Sequence, residues 1–254
     1  DLEGISGFLR SIEGVKISAT IRQTETGSKM SVRAVPGYDA AAVAGYDLTA
    51  PLNDYEKTIW QGINGPIWAL IALDTGNYEI PVNTDAKTQA TRQLYIDEIL
   101  RRQLDGGGWN LVDKGGSGRS DPDITGMALQ ALAKYQEQSA VKTATEKALT
   151  CLSKMQDADG GYSSWGTTNS ESVVQVIVAL CELGIDLEDS RFVKNGKSVL
   201  DSLLTHYEES EKGFKHIMAG GVDAMATDQG TYALIAYRRL CSGQSPLYVM
   251  NDVT

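Results

Sequence analysis

Three residue types are scarce in this chain of 254 residues: it holds three cysteines, two histidines and three phenylalanines. Cys151, Cys181 and Cys241 each lie in a helical apolar run ("LTCLSKM", "VALCELG", "YRRLCSG"). An odd, widely spaced set argues against a disulfide framework or a metal cluster, and buried free thiols are expected. His206 and His216 lack ligand spacing, so surface or supporting positions are expected for them. Positive charge is also short. The formal net charge of −10 argues against nucleic acid or an anionic membrane as partner, since both require a basic surface. No uninterrupted apolar stretch is long enough to span a bilayer, so no integral membrane segment is expected. The chain opens on Asp1 and not on Met, which suggests a mature or truncated product.

Apolar residues at 42 % and charged residues at 22 % are ordinary for a globular chain with a sizeable core. Strict period-2 alternation is scarce and period-3.6 patterning is pervasive, which predicts an all-α fold. A repeat is superimposed on it. "RRQLDGGGW", "SKMQDADGGY" and, more faintly, "EESEKGF" each close a polar-faced helix with a glycine-aromatic turn. Their aromatics, Trp109, Tyr162 and Phe214, stand fifty-three and fifty-two residues apart. A second kind of helix follows each turn: "DITGMALQALAKY", "ESVVQVIVALCELG" and "DQGTYALIAYRRL", with an earlier copy, "NGPIWALIALDTG", from Asn64.

The two kinds of helix require different surroundings. "TRQLYIDEILRRQ" is amphipathic and needs one wet face, whereas "MALQALA" and "VVQVIVALC" are apolar nearly all round, broken only by Gln130 or Gln175. Alternation of the two predicts a double ring, inner helices around an axis and outer helices outside them. Gly107, Gly160 and Gly213 would supply positive φ at the turns. Near the N-terminus, "GISGFLRSIEG" and "SKMSVRAV" are expected as an outer and a short inner helix, and "LNDYEKTIW" as the next outer one. The expectation is one domain, 1–254, of about five hairpins. Residues 1–45 form its loosely defined first hairpin, and 242–254 an irregular tail across one end.

"QLDGGGW", from Gln103 to Trp109, fits the Q-x-x-x-G-x-W repeat of squalene and oxidosqualene cyclases, and "QDADGGY" is a Tyr-ended variant. Over residues 40 to 254 the chain resembles the α/α-toroid superfamily of terpene cyclases and protein prenyltransferases. "VAGYDLTAPLNDYEKTIWQGINGPIWALIALDTGNYEIP" looks most like bacterial prenyltransferase and squalene oxidase repeat proteins, often secreted or displayed on the cell surface. The resemblance implies an α/α toroid and an extracellular or cell-surface location. A shared fold does not by itself carry an activity.

Two catalytic constellations known in that superfamily are broken here. Zinc prenyltransferases hold their metal with an Asp, a Cys and a His. Asp159 matches the first, but Gly161 and Thr231 stand where the thiolate and imidazole belong, so no zinc site, and no metal or cofactor of any kind, is expected. Asp159 is expected in a turn. Class II cyclases carry D-x-D-D-T, whose middle Asp protonates an alkene. Asp121-Pro122-Asp123-Ile124-Thr125 retains that Asp at 123 but replaces its neighbour with Ile124. The complement-type Cys-Gly-Glu-Gln thioester is absent.

Capping explains the same carboxylates without catalysis. Aligned on their Ala-Leu or Ala-Tyr pairs, the second-kind helices place Asn64, Asp123, Glu171 and Asp228 at one position. Asp121 before Pro122 is expected to be an N-cap, as are Ser170 and Thr227. Parallel inner helices would gather these residues into a polar ring at one mouth. Because the ring carries its own carboxylates, a cation or a neutral ligand rich in hydroxyls or amides suits it. Trp68, Trp109, Tyr162, Trp165, Phe214 and Tyr232 either line a pocket there or wedge between repeats. The wedge role suits Trp109, Tyr162 and Phe214 better, and Trp165, in "SSWGTTNS", is expected to be exposed for contact. "DADGGYSS" lacks the closing Glu of a calcium loop, and "GWNLVDKGGSGRSDPD" lacks the ending of a phosphate loop.

Two functional expectations follow. One is a non-catalytic binding module, secreted or on a bacterial surface, taking a small molecule or partner at its loop-rich mouth. The other is a terpene-cyclase-like enzyme acting on an isoprenoid, with Asp123 as general acid.

Overall fold

The computed structural model describes residues 17–24, 27–34 and 49–249. By compactness the chain divides into two units, Asp1–Pro51 and Leu52–Thr254, taken separately here.

In the first unit, β1 (Ile17–Thr24) and β2 (Gly27–Ala34) pair antiparallel in a single register from Ile17↔Ala34 to Thr24↔Gly27. The short inner helix expected at "SKMSVRAV" is therefore a strand. The reason lies in the pattern: Met30, Val32 and Ala34 alternate with Lys29, Ser31 and Arg33, the period-2 signature of a strand. "GISGFLRSIEG" lies outside the described residues.

The second unit is the α/α toroid fold. Its helices are α1 (Tyr55–Ile59), α2 (Asn64–Thr75), α3 (Arg92–Arg101), α4 (Pro122–Leu132), α5 (Ser139–Met155), α6 (Ser170–Glu182), α7 (Val199–Thr205) and α8 (Ala224–Cys241). They form four outer-inner pairs among the described residues, where about five were expected. The inner helices α2, α4, α6 and α8 pack in chain order, and α6 lies between two inner neighbours with α7 also against it. From Ser170 to Cys181 every residue of α6 except Glu171 is buried. In the amphipathic α5 only seven of seventeen residues are buried. Half-wet and all-round apolar sequences thus sort as the two rings require.

The glycine-aromatic turns tie one repeat to the next. Gln103 Nε2 donates to the carbonyls of Gly107 (2.7 Å) and Ala144 (2.8 Å). One repeat later, Gln156 Nε2 does the same to Gly160 (3.0 Å) and Phe192 (2.8 Å). Gly107 and Gly160 take φ of 94° and 85°, where a side chain would be strained. In the fainter third turn the positive φ falls on Lys212, at 53°, and not on Gly213 as expected. Trp109, Tyr162 and Phe214 are core residues. Trp109 Nε1 donates to Ile99 O (2.7 Å) and Tyr162 Oη to Leu152 O (3.1 Å). Each is a wedge that satisfies its own polar atom by closing the end of the preceding outer helix.

The two glutamines that interrupt the apolar helices connect the inner ring. Gln130 Nε2 donates to both the backbone and the side-chain oxygen of Gln175 (each 3.0 Å). Gln175 Nε2 donates to Tyr232 Oη (2.9 Å) and Gln229 Oε1 (3.1 Å) on α8. Gly126 allows α4 and α6 to close up: a Cβ there would lie 2.7 Å from Gln175 O. The space between α4, α6 and α8 is thus occupied by bonded amides and small residues. From the tail, Tyr248 Oη donates to Gln130 Oε1 (2.9 Å).

One smaller expectation is corrected, that all three thiols are buried. Cys151 and Cys181 are buried, but Cys241 at the end of α8 is exposed. His206 is buried, its Nδ1 3.1 Å from Lys215 O, because the β5–β6 turn (Tyr207–Glu208, Gly213–Phe214) folds over it.

Candidate functional site

Asp121 joins two loops at the mouth. Its Oδ1 accepts from Asp123 N (3.0 Å) and Ile124 N (3.1 Å), while Pro122 starts the helix. This is the N-cap expected from the sequence. Its Oδ2 accepts from Ser164 Oγ (2.5 Å) one repeat away. Replacing Asp121 with Ala removes the cap and leaves Ser164 without that partner. An unfolding free-energy loss of about 2 kcal/mol is expected, read from urea denaturation; a loss below a few tenths would contradict the cross-link.

The other two expected caps shift. The cap of α6 is Asn169, accepting from Ser172 N (2.9 Å), one residue before Ser170. The cap of α8 is Asp223, accepting from Ala226 N (2.9 Å). Thr227 therefore lies inside α8, where its Oγ1 accepts from Phe214 N (2.9 Å). Both shifts have one cause: a better acceptor just upstream captures the free amides first. Asn64 is the first residue of α2, preceded by Ile63, which makes no side-chain cap. Asn64 Oδ1 is buried without a hydrogen-bond partner.

Asp123 and Glu171 do come together. Glu171 Oε2 lies 2.7 Å from His216 Nδ1 and accepts from Ser170 Oγ (3.0 Å). The pair is closed by a backbone bond from Ser170 N to His216 O (3.0 Å). Asp123 Oδ1 is buried with no hydrogen-bond partner. Burial, helped by the charges of Asp121 and Glu171 and opposed by the Ser172 hydroxyl and His216, pushes its carboxyl up to about 6. Tyr232, itself pushed up by burial, feels the charges of Asp228, Glu171 and Asp123. Asp228 is exposed, as is Trp68 on α2.

The raised Asp123 carboxyl has a definite sign in stability. Between pH 3.8 and about 6 the folded state holds a proton that the unfolded chain has released, so stability falls as pH rises through this window. Asp123→Asn removes the penalty. Its unfolding free energy at pH 7.5 is expected to exceed that of wild type, by at most ~3 kcal/mol, with the gap closing near pH 4. A destabilised variant at pH 7.5 would refute this.

A pocket of about 460 Å³ opens beside Asp121. One wall is the segment 110–122, the other the hairpin of β3 (Ser163–Ser164) and β4 (Thr167–Thr168). At the hairpin tip Trp165 is 81 % exposed, with φ of 51° followed by Gly166 at 82°. Ser163 Oγ braces it against Asp157 Oδ2 (3.0 Å) and Thr168 Oγ1 (2.7 Å). On the opposite wall Asn110 shapes the chain, its Oδ1 accepting from Val112 N (3.0 Å) and Asp113 N (2.8 Å). Its Nδ2 donates to Asp113 Oδ2 (2.7 Å) and Arg119 O (2.8 Å).

Of the residues singled out from sequence, the structure thus places Asp121 and Trp165 on this pocket and Asp123, Glu171 and Tyr232 in the neighbouring cluster. Trp109 and Tyr162 are core wedges, unavailable to a ligand because their rings fill the space between repeats. Asn110, Asp113 and Arg119 were missed. Their signal in the sequence is "NLVD", an Asx turn in which Asn110 Oδ1 accepts from the amides of Val112 and Asp113. Asp159 is the expected turn residue, accepting from Gly161 N (3.0 Å). Among the described residues no group of three His, Cys, Asp or Glu is placed to hold a metal ion, and no helix is long and apolar enough to cross a membrane.

No protein-family model matches the sequence, and no curated protein matches it. Among solved structures, 22 chains match. One is "Candida albicans protein geranylgeranyltransferase-I complexed with GGPP", similar at 12 % identity and a TM-score of 0.46 over 86 % of this chain and 54 % of that one. The present chain therefore spans about half the length of that structure.

Proposed function

We propose that the toroid unit is a non-catalytic binding module, secreted or displayed on a bacterial surface, that takes its ligand in the pocket between segment 110–122 and the Trp165 hairpin. The observation that carries this reading is a braced aromatic, 81 % exposed, on the wall of a 460 Å³ pocket. Exposing a large apolar ring on a strained backbone costs stability and is accounted for by contact with a ligand. The pocket volume falls within the range of small-molecule sites. The test is chemical footprinting of the tryptophans during incubation with a culture extract of extracellular metabolites and cell-surface polymers. Selective protection of Trp165 supports the reading; labelling of Trp165 unchanged under every fraction overturns it.

A cyclase-type reading rests on one separate observation, the buried and unpartnered Oδ1 of Asp123 on a carboxyl raised to about 6. Against it, Asp123 is not part of the pocket wall, and bonded glutamines fill the space between the neighbouring inner helices. Incubation with squalene and prenyl diphosphates decides. The expected result is no product from wild type or from Asp123→Asn. Product formed by wild type and lost in the variant would establish catalysis.

A further inference from the structure

The chemistry of the Trp165 pocket narrows its ligand. We propose that it binds a neutral, hydroxyl-rich oligosaccharide, with one sugar ring lying flat on the Trp165 indole. This rests on the pocket being the binding site, as argued above, and goes on to name the class of molecule.

Three features point to that class. The first is the aromatic wall. The indole is a broad apolar face that is also electron-rich, and a pyranose presents a matching face of polarised C–H groups. The backbone that carries Trp165, at the tip of a two-stranded hairpin, is held by hydroxyl bonds from Ser163 and by the Asp121–Ser164 link. Little conformational freedom remains to be lost on binding, which favours affinity.

The second is the charge on the pocket wall. Asp113, Asp121 and Arg119 line it; Asp121 is committed to its cap and to Ser164, which leaves one carboxylate and one guanidinium to the ligand, so a ligand of either net charge meets a repulsive group. A neutral ligand with many hydroxyls satisfies both, its O–H groups donating to the carboxylate and its oxygens accepting from the guanidinium. Asp113 already has one oxygen engaged by Asn110, which fixes the carboxylate in orientation and leaves the other oxygen to a ligand.

The third is openness, which decides between sugar and hydrocarbon. Trp165 is 81 % and Val112 69 % exposed, so a bound molecule keeps much of its surface in water. An isoprenoid gains about 25 cal/mol for each Å² removed from water and gains little in a half-open trough. It would also cover Asp113 and Arg119 without replacing their water hydrogen bonds, an unfavourable exchange. A glycan loses little by remaining partly solvated and replaces those bonds with its own.

The experiment titrates the full chain with cello-, xylo-, manno-, malto- and chito-oligosaccharides, following intrinsic fluorescence and heat of binding. At least one series is expected to bind, with Trp165→Ala weakening it at least tenfold, Trp165→Tyr retaining most of the affinity, and Asp113→Asn and Arg119→Gln each weakening it several-fold. Because Trp165 is exposed, the alanine variant is expected to keep the wild-type circular dichroism and melting temperature. Absence of binding by every series overturns the proposal, as does binding that Trp165→Ala leaves unchanged. The two levels separate with farnesol and geranylgeraniol as further probes. Quenching by these that requires Trp165, with no saccharide binding, overturns the sugar assignment and retains the pocket. Saccharide binding that is indifferent to Trp165 overturns the pocket itself.

Discussion

Trp109→Ala is expected to lower the free energy of unfolding by about 3–5 kcal/mol. The ring is fully buried, 0 % exposed, at the junction of the outer helix α3 and the inner helix α4. Its Nε1 closes the α3 carbonyl of Ile99 (2.7 Å), and its backbone N donates to Thr125 Oγ1 (3.0 Å) on α4. Alanine keeps the backbone bond but opens a cavity and removes one of the two bonds to the Ile99 carbonyl, which still accepts from Arg102 N (3.1 Å), so the cavity cost dominates. Trp109→Phe fills most of the volume without the N–H and is expected to lie between the two. The measurement is the guanidinium midpoint at constant m-value. Trp165→Ala is the internal contrast, expected within about 0.5 kcal/mol of wild type. Comparable losses for Trp109→Ala and Trp165→Ala would show that the wedge assignment is wrong.

The second large effect lies on α3. Glu98 is buried, as is Arg102, whose Nε donates to Glu98 Oε1 at 2.6 Å. Arg101 adds bonds to both carboxylate oxygens (2.9 and 2.7 Å), and Tyr55 Oη donates to Oε2 (3.3 Å). Glu98→Gln leaves the Arg102 guanidinium buried without its counter-charge, and a loss of about 3–5 kcal/mol is expected. Glu98→Leu combined with Arg102→Met removes both charges and is expected to be more stable than Glu98→Gln alone. If the single variant proved as stable as wild type, the pair would have no structural role.

Acid titration distinguishes this site from Asp123. Burial pushes the Glu98 carboxyl up, but its hydrogen bonds from Arg101 and Arg102 outweigh burial and hold it below the usual value of 4.5. The folded state therefore binds the proton less readily than the unfolded chain. The contribution of Glu98 is complete above about pH 4.5 and is lost as pH falls through the folded-state value. Asp123 has the opposite slope, its penalty growing from pH 3.8 to about 6. Stability of wild type is expected to rise from acid toward pH 4 to 5 and then to decline. Glu98→Gln reduces the first limb, to which other carboxylates held low, such as Glu208, also contribute, and Asp123→Asn reduces the second, which it shares with Glu182, raised by burial to about 7.

The all-round apolar character of "VVQVIVALC" and the one-sided pattern of "TRQLYIDEILRRQ" were sufficient to assign the inner and outer rings, because a helix with no polar face must be covered on all sides. The 52- and 53-residue spacing of Trp109, Tyr162 and Phe214 was equally readable, since each repeat needs the same wedge. Less readable were features governed by competition between neighbours. Asn169 and Asp223 displaced the caps expected at Ser170 and Thr227, since one residue's advantage as an acceptor depends on which amide comes within reach. The β1–β2 hairpin was less readable because its strands are short alternating runs in a chain otherwise patterned at helical period.

The amino-acid sequence by itself determined the fold class, the repeat and the N-cap at Asp121, because periodicity and local capping act within a few residues of chain. Only the tertiary structure decided which carboxylates meet, which exposed aromatic borders the pocket and where that pocket opens. Asp121 reaches Ser164 across forty-three residues and Glu171 reaches His216 across forty-five, distances over which local propensity carries no information. Trp109 and Trp165 are alike in the sequence as tryptophans beside glycine. The closing of one helix end over the first, and the bracing of a hairpin beneath the second, made one a wedge and the other a contact surface.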